Sequence, residues 1–258
     1  MPVPCASEIR ILPLTRIPEV VEGDSVAGLV LNSAEASGLR LLEGDVLVIA
    51  QKIVSKAEGR VVRLGDVEPS EQAVEWAKDG GNGPGDARHM EIILRESAKV
   101  LRRSGKTVIS QTRHGWKCAH AGVDRSNVPG ADTVSLLPVD ADRSARKIRE
   151  EIEQTSGAQV AVIVSDTFGR PWRLGLTNVA IGAAGLKVLK DYRGQVDSSG
   201  RRLTSTVLAV ADELAAAAGL VMGKTERVPA VVLRGCRIEP GSGGATNLIR
   251  PEEEDLFR

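Results

Sequence analysis

Aromatic side chains are nearly missing from this 258-residue chain, with three Trp, two Phe and one Tyr making 2% in all. Its core must therefore rest on Val, Leu, Ile and Ala, and there is little aromatic surface for stacking nucleic-acid bases. A dominant charge is missing too. The 34 Lys and Arg balance 34 Asp and Glu, so no general attraction to nucleic acid or to an anionic membrane follows, and any anion site must be local. Cysteine is scarce: Cys5, Cys118 and Cys236 are odd in number, far apart and without CxxC spacing. That pattern predicts reduced thiols in a cytoplasmic protein. No stretch approaches the ~20 apolar residues that span a bilayer. The opening residues, Met1 to Ser7, hold no basic segment followed by an apolar run, so no secretory signal is expected.

What remains is ordinary for a globular protein: 42% apolar and 26% charged residues, in a length that suits one large domain or two small ones. Strand-like runs alternate with helical ones, and the expected class is α/β in the broad sense of mixed α and β. Strands are predicted over 9–14, 45–50, 106–111, 133–137, 160–164 and 228–234, with 60–64 as the return strand of a hairpin or arch after 51–59. Helices are predicted over 25–37, 70–78, 91–103, 142–156 and 204–218, with Gly157 as a stop signal. The segment 79–86 holds four glycines and a proline and reads as a surface loop or boundary. The run 251–255 is acidic and expected to be exposed.

The most informative stretch is Ser165-Asp166-Thr167-Phe168-Gly169-Arg170-Pro171-Trp172-Arg173. It follows a β-branched run, so an acid and a hydroxyl sit where a strand is expected to end, and Gly169 and Pro171 argue for a loop. Asp and Thr oxygens suit a hard cation such as magnesium, and the arginines suit phosphate or carboxylate oxygens. A helix cap or turn explains Asp-Thr equally well. In Gly122-Val123-Asp124-Arg125-Ser126-Asn127, Asp124 and Asn127 can face one centre from a turn, or Asp124 can simply cap it. Two acids on separate loops, Asp124 and Asp166, can share divalent ions as phosphoryl transfer requires. Lys52 and Lys56 follow the strand 45–50 and can serve as point charges for phosphate.

Two tempting motifs fail on spacing or context. Gly219-Leu220-Val221-Met222-Gly223-Lys224-Thr225 is one residue short of a Walker A loop, and a helix precedes it where a strand is needed. Lys224, Thr225 and Glu226 can still meet a nucleotide in another geometry. His114, Cys118 and His120 lack a fourth zinc ligand nearby, so packing or substrate contact is preferred.

Taken together, five segments resemble the coenzyme F-420-0:L-glutamate ligase family, the γ-glutamyl ligases of deazaflavin coenzyme biosynthesis. They are Ile11-Leu12-Pro13 with Ile17-Pro18-Glu19-Val20, residues 50–60, residues 114–127, SDTFGRPWR at 165–173, and Met222-Gly223 with Val228-Pro229. The resemblance implies a metal-dependent ligase that uses GTP to phosphorylate a carboxylate of the deazaflavin precursor. L-Glutamate then attacks the acyl phosphate. Carried over by position, Asp124, Asp166 and Thr167 would hold magnesium or manganese, with potassium as a further candidate ion. Ile17, Pro18, Glu19, Val20, Gln51, Lys52, Lys56, Asn127, Met222, Gly223, Lys224 and Glu226 would contact the nucleotide. Arg170 and Arg173 join the acids as catalytic candidates, for anionic substrate groups. The resemblance also implies a homodimer and an intertwined family-specific fold, neither P-loop nor Rossmann, with residues 1–258 as the ligase domain, in one or two subdomains. Some relatives continue into a nitroreductase-like domain; the sequence ends at Arg258, as expected of a stand-alone ligase or of one cut short before that domain. The rival readings are a metal-dependent nucleotide hydrolase and a GTP-binding regulatory protein.

Overall fold

Three apolar runs rich in β-branched residues, 46–50, 161–164 and 230–233, make the centre of the molecule. The computed structural model describes residues 8–80 and 83–256; Cys5, the opening segment 1–7 and residues 81–82 of the glycine-rich stretch lie outside them. In chain order the elements are β1 (Arg10–Leu14), α1 (Val26–Ala36), β2 (Val46–Ala50), α2 (Gln51–Ala57), β3 (Val61–Arg63), α3 (Glu71–Lys78), α4 (Ala87–Glu96), β4 (Ser97–Ser104), β5 (Thr107–Thr112), β6 (Lys117–Ala119) and β7 (Thr133–Ser135). The chain continues through α5 (Ala141–Ser156), β8 (Ala161–Arg170), β9 (Arg173–Ala184), β10 (Lys190–Asp191), β11 (Val207–Leu208), α6 (Val210–Met222) and β12 (Ala230–Arg234).

A five-stranded sheet of order β1-β12-β2-β8-β9 forms the core, and only β2 and β8 run parallel. Side chains alternate across it as the pleat requires. Leu47, Ile49, Val162, Val164, Ala230 and Val232 face one core with α1, α2 and α5. Val46, Val48, Ala161, Ile163, Val231 and Leu233 face the other, against α6. Strands covered on both faces need continuous apolar runs, and each fully buried Val, Leu or Ile contributes roughly 1.5–3 kcal/mol. Arg234 donates to both oxygens of the buried Asp45 carboxylate (2.8 and 2.7 Å), tying the end of β12 to the start of β2. A third core, with Met90, Ile93, Val108 and Val134, lies under α3, α4 and the β4-β5-β6 sheet. The mixed sheet is neither a doubly wound parallel sheet nor a P-loop arrangement. No helix among the described residues is long and apolar enough to cross a membrane.

Several expectations needed correction. The helix predicted over 91–103 begins earlier and stops at Glu96; 97–104 is β4, whose pairing with β5 overrides the helix-like apolar spacing. Ser97 Oγ bonds back to the Ile93 carbonyl at 2.7 Å and marks the break. The helix placed over 204–218 starts only at Val210, because Val207 and Leu208 pair with β10. Residues 61–63 pair with β7, not with β2, because 51–57 is a helix that carries the chain away from the sheet. Residues 165–170 are not a loop: β8 continues to Arg170, paired to β9 throughout, and the turn comes only at Pro171 and Trp172. Proline is tolerated there because a hairpin tip needs no ladder N–H. Gly157 does end α5, with φ 72°.

The N-terminus of α5 seats against β9 at Gly182, where any Cβ would lie 2.3 Å from the Ala141 carbonyl oxygen. Asp142, in the first turn of α5, accepts from the Ala183 and Ala245 N–H groups (2.8 and 2.7 Å) and from the Thr246 hydroxyl (3.0 Å). This buried carboxylate joins three segments. Asp142→Ala strands those donors and is expected to lower stability by about 3 kcal/mol; a urea-unfolding shift below about 1 kcal/mol would contradict this account.

Candidate functional site

Parallel pairing sets Ala50 of β2 beside Ser165 of β8, so both strands discharge their next residues on the same side. A cavity of ≈ 650 Å³ opens there. Its walls are residues 17–20, Ala50 and the start of α2, Asp124 with residues 126–129, residues 165–167 of β8, Asn178 of β9, and residues 222–224 and 227–229. In β9 the ladder passes from Gly182 to Ala180 between Val164 and Ser165, a bulge that re-aims the strand as the polar residues begin.

Asp124 and Lys52 make the closest pair. Lys52 Nζ lies 2.5 Å from Asp124 Oδ2 and donates to the Ser126 carbonyl at 2.6 Å. Ser126 returns two bonds to the same carboxylate, from its N–H (2.9 Å) and its hydroxyl (2.6 Å). Burial raises the Asp124 pKa, but the Lys52 charge and these bonds outweigh it and hold the carboxyl below its ordinary value. The loop is set by a turn in which His120, Ala121 and Gly122 all have positive φ, and by a two-way backbone bridge between Asp124 and Ser135.

Asp166 differs. Its carboxylate accepts the N–H of Thr167 at 2.8 Å, and burial pushes its pKa up to about 6 against the pull of Thr167 and Lys52, with Asp124 adding to the rise. Thr167 Oγ1 donates to Asn178 Oδ1 (2.9 Å) and accepts from Lys224 Nζ (2.6 Å). Lys56, nearly buried, pairs with exposed Glu19 at 2.5 Å. Gln51 is buried and accepts from Ser55. Asn127 lines the cavity and donates to the Lys224 carbonyl at 3.3 Å.

Ile17, Pro18, Glu19, Val20, Gln51, Lys52, Lys56, Asp124, Asn127, Asp166, Thr167, Met222, Gly223 and Lys224 thus share one cavity. Three candidates do not. Glu226 turns back on its own backbone, accepting from the Thr225 N–H at 2.8 Å. Arg170 and Arg173 sit exposed at the tip of the β8–β9 hairpin, where Arg170 donates to the Leu174 carbonyl. They were drawn to the site by reading the stretch as one loop, whereas the extended strand carries them away from the cavity. Sequence reasoning missed Asn178 and Arg227, which also line it. Arg227 is adjacent to Lys224–Glu226 and could have been weighed with them; Asn178 reaches Thr167 only through strand register. His114, Cys118 and His120 do not gather: His114 lines a second cavity, and burial first, then Asp166, pushes the Cys118 thiol up to about 12.

Among the described residues no group of three or more His, Cys, Asp or Glu side chains is arranged to hold a metal ion. Two carboxylates and a hydroxyl nevertheless fit a magnesium-like ion, which keeps waters and takes further oxygens from a phosphate substrate. Asp166, with burial pushing its pKa up and only a local N–H bonded to it, is the group that a cation would best satisfy. Lys52, Lys56, Lys224 and Arg227 supply charge for a polyanion, and Ile17, Val20 and Val228 supply apolar wall.

Behind the Asp124 loop, His89 of α4 is buried with neither ring nitrogen hydrogen-bonded. Burial, with Arg125 and His120 adding, lowers its pKa to about 4. Between its ordinary value and that one, the unfolded chain takes up a proton that the folded chain refuses. Its contribution is therefore full above pH ~6.5 and lost as pH falls towards ~4. His89→Leu is expected to flatten the fall in melting temperature between about pH 7 and about pH 4.5; an unchanged fall would sink this assignment.

A family model described as F420-0:Gamma-glutamyl ligase matches residues 15–235. The chain is 44% identical to the coenzyme F420:L-glutamate ligase of Methanothermobacter thermautotrophicus over 253 residues, 97% of this chain and 99% of that protein. It is 44% identical to that of Methanopyrus kandleri over 255 residues (97% and 98%), and 42% identical to that of Methanocaldococcus jannaschii over 217 residues (84% and 85%). With the match spanning the whole cavity, the chain belongs to the F420-0:γ-glutamyl ligase family.

Proposed function

We propose that this chain joins L-glutamate to the deazaflavin precursor of coenzyme F420 by an amide bond, at the expense of GTP and with a divalent cation. The observation that carries the reading is the pairing, in one cavity, of Asp124, Asp166 and Thr167 with four cationic side chains. That composition suits a triphosphate. A carboxylate oxygen of the precursor attacks the γ-phosphorus, the bond to the GDP oxygen breaks, and an acyl phosphate results. The glutamate amine then attacks the acyl carbon, the C–N bond forms, phosphate leaves and the amine proton passes to water. Lys56, Lys224 and Arg227 are suited to hold the phosphates, Gln51 and Asn127 to hydrogen-bond the nucleotide, and the apolar wall to exclude water. A bound magnesium or manganese ion, held by Asp124, Asp166 and Thr167, would neutralise oxygens of the transferred phosphoryl group.

Mass spectrometry of a reaction with precursor, L-glutamate, GTP and manganese tests this directly. A product heavier by glutamyl units, formed only with both glutamate and GTP, is expected. Phosphate release without that product points to a hydrolase; binding without turnover points to a regulator. Asp124→Asn and Asp166→Asn are each expected to lower turnover by about 10²-fold or more while keeping the native circular dichroism spectrum.

The homodimer reading draws support from the β8–β9 hairpin, which carries Trp172, Leu174 and Leu176 exposed at 76%, 98% and 65%. Apolar side chains this exposed on a projecting arm suit burial against a second copy. Leu174→Asp with Leu176→Asp is expected to halve the mass measured by light scattering. A native mass for the double variant, or a monomeric native protein, would remove the arm from any dimer contact.

A further inference from the structure

We propose that Lys52 holds the place of a divalent cation on Asp124, so that the cation binds tightly only after an anionic ligand has drawn the lysine away. This rests on the cation reading of the cavity given above. Lys52 Nζ meets Asp124 Oδ2 at 2.5 Å, the Ser126 carbonyl at 2.6 Å and the Ser126 hydroxyl at 3.3 Å. An ammonium has three protons to donate, and all three have acceptors on this one loop. Its side chain is only 15% exposed, so water competes weakly for it.

Both oxygens of Asp124 are engaged. Oδ1 accepts the Ser126 N–H; Oδ2 accepts the Ser126 hydroxyl and Lys52. The N–H belongs to the turn itself, whereas Lys52 is the flexible member and the one that carries a positive charge. A second cation on Oδ2 would sit within a few ångströms of that charge and be repelled by it, although Asp124 itself is partly open to solvent. Something must move, and the four-carbon stem of Lys52 allows it to.

The opposite wall repeats the device. Thr167 Oγ1 gives its proton to Asn178 and accepts from Lys224 Nζ at 2.6 Å. Two candidate cation donors on different elements thus each hold an ammonium group. Asp166 holds none. A ligand rich in phosphate oxygens offers both lysines a new partner in the same cavity. Cation and polyanion then favour each other's binding, and the coupling is reciprocal.

The test is a titration of Mn²⁺ alone, followed by electron paramagnetic resonance of the free ion, with no nucleotide present. Native protein is compared with Lys52→Met, Lys52→Gln, Lys56→Met and Asp166→Asn, each checked for folding by circular dichroism. Lys56 is the control: it lines the same cavity and carries the same charge, but pairs with Glu19. Both Lys52 variants are expected to bind Mn²⁺ about tenfold or more tightly, and Lys56→Met within about threefold of native. Lys52→Gln serves if Lys52→Met does not fold. Unchanged or weaker binding in the Lys52 variants overturns the proposal, as does equal tightening in Lys56→Met, which would show a general charge effect. The cation reading fails separately, and takes this proposal with it, if Asp166→Asn binds Mn²⁺ as the native protein does.

Discussion

The parallel pairing of β2 with β8 is the constraint on which the site depends. It brings Ala50 and Ser165 level, so that a helix leaving one strand and a polar continuation of the other face each other. Lys52 and Lys56 come from the helix, Asp166 and Thr167 from the strand. Both strands are apolar on both faces, and a slip of one residue would exchange the faces of every side chain. The register is therefore held by the core, far from any ligand. Asp142 and Gly182 reinforce it by fixing α5 against β9, the strand that carries Asn178.

Electrostatic compensation then determines what the cavity can accept. Buried charges persist when paired and hydrogen-bonded. Asp124 has Lys52 and Ser126, and Lys56 has Glu19. Asp166 has only a local N–H, and its pKa rises accordingly. The imbalance is confined to one carboxylate beside a hydroxyl and a second acid. That carboxylate lies one residue beyond the level where β2 ends and lines the cavity, a placement that suits a group whose missing charge arrives with a ligand.

Much of this was legible in the residues themselves. Strand runs, the stop at Gly157 and the residue types at Asp124, Asp166, Lys52 and Lys56 are local signals, and local signals survive folding. What was not legible depends on partners distant in sequence. Residues 97–104 are a strand because β5 lies beside them, and 165–170 remain a strand because β9 returns along them. Gly169 and Pro171 argue for a loop only until that partner is known, and the strand sets Arg170 and Arg173 at the hairpin tip, outside the cavity lining. Asn178 carries no motif at all. It enters the cavity by standing opposite Thr167 in the ladder, a relation visible only once register is fixed.

The Walker-like segment shows why motif and context must be read together. In a P-loop the backbone at a helix N-terminus supplies N–H groups and a partial positive charge to phosphate. Here Gly223 closes the C-terminal end of α6, which presents carbonyl groups and a partial negative charge. That end repels a phosphate and attracts a cation. Lys224 and Arg227, immediately beyond it, must therefore provide the positive charge that the helix withholds, and Lys224 does so by reaching across to Thr167. The glycine that resembles a phosphate-binding residue acts instead as a terminator, with φ 55° and ψ −153°, a backbone conformation that side chains rarely adopt. The same letters thus bring positive charge to the cavity by the opposite electrostatic route, through side chains in place of backbone.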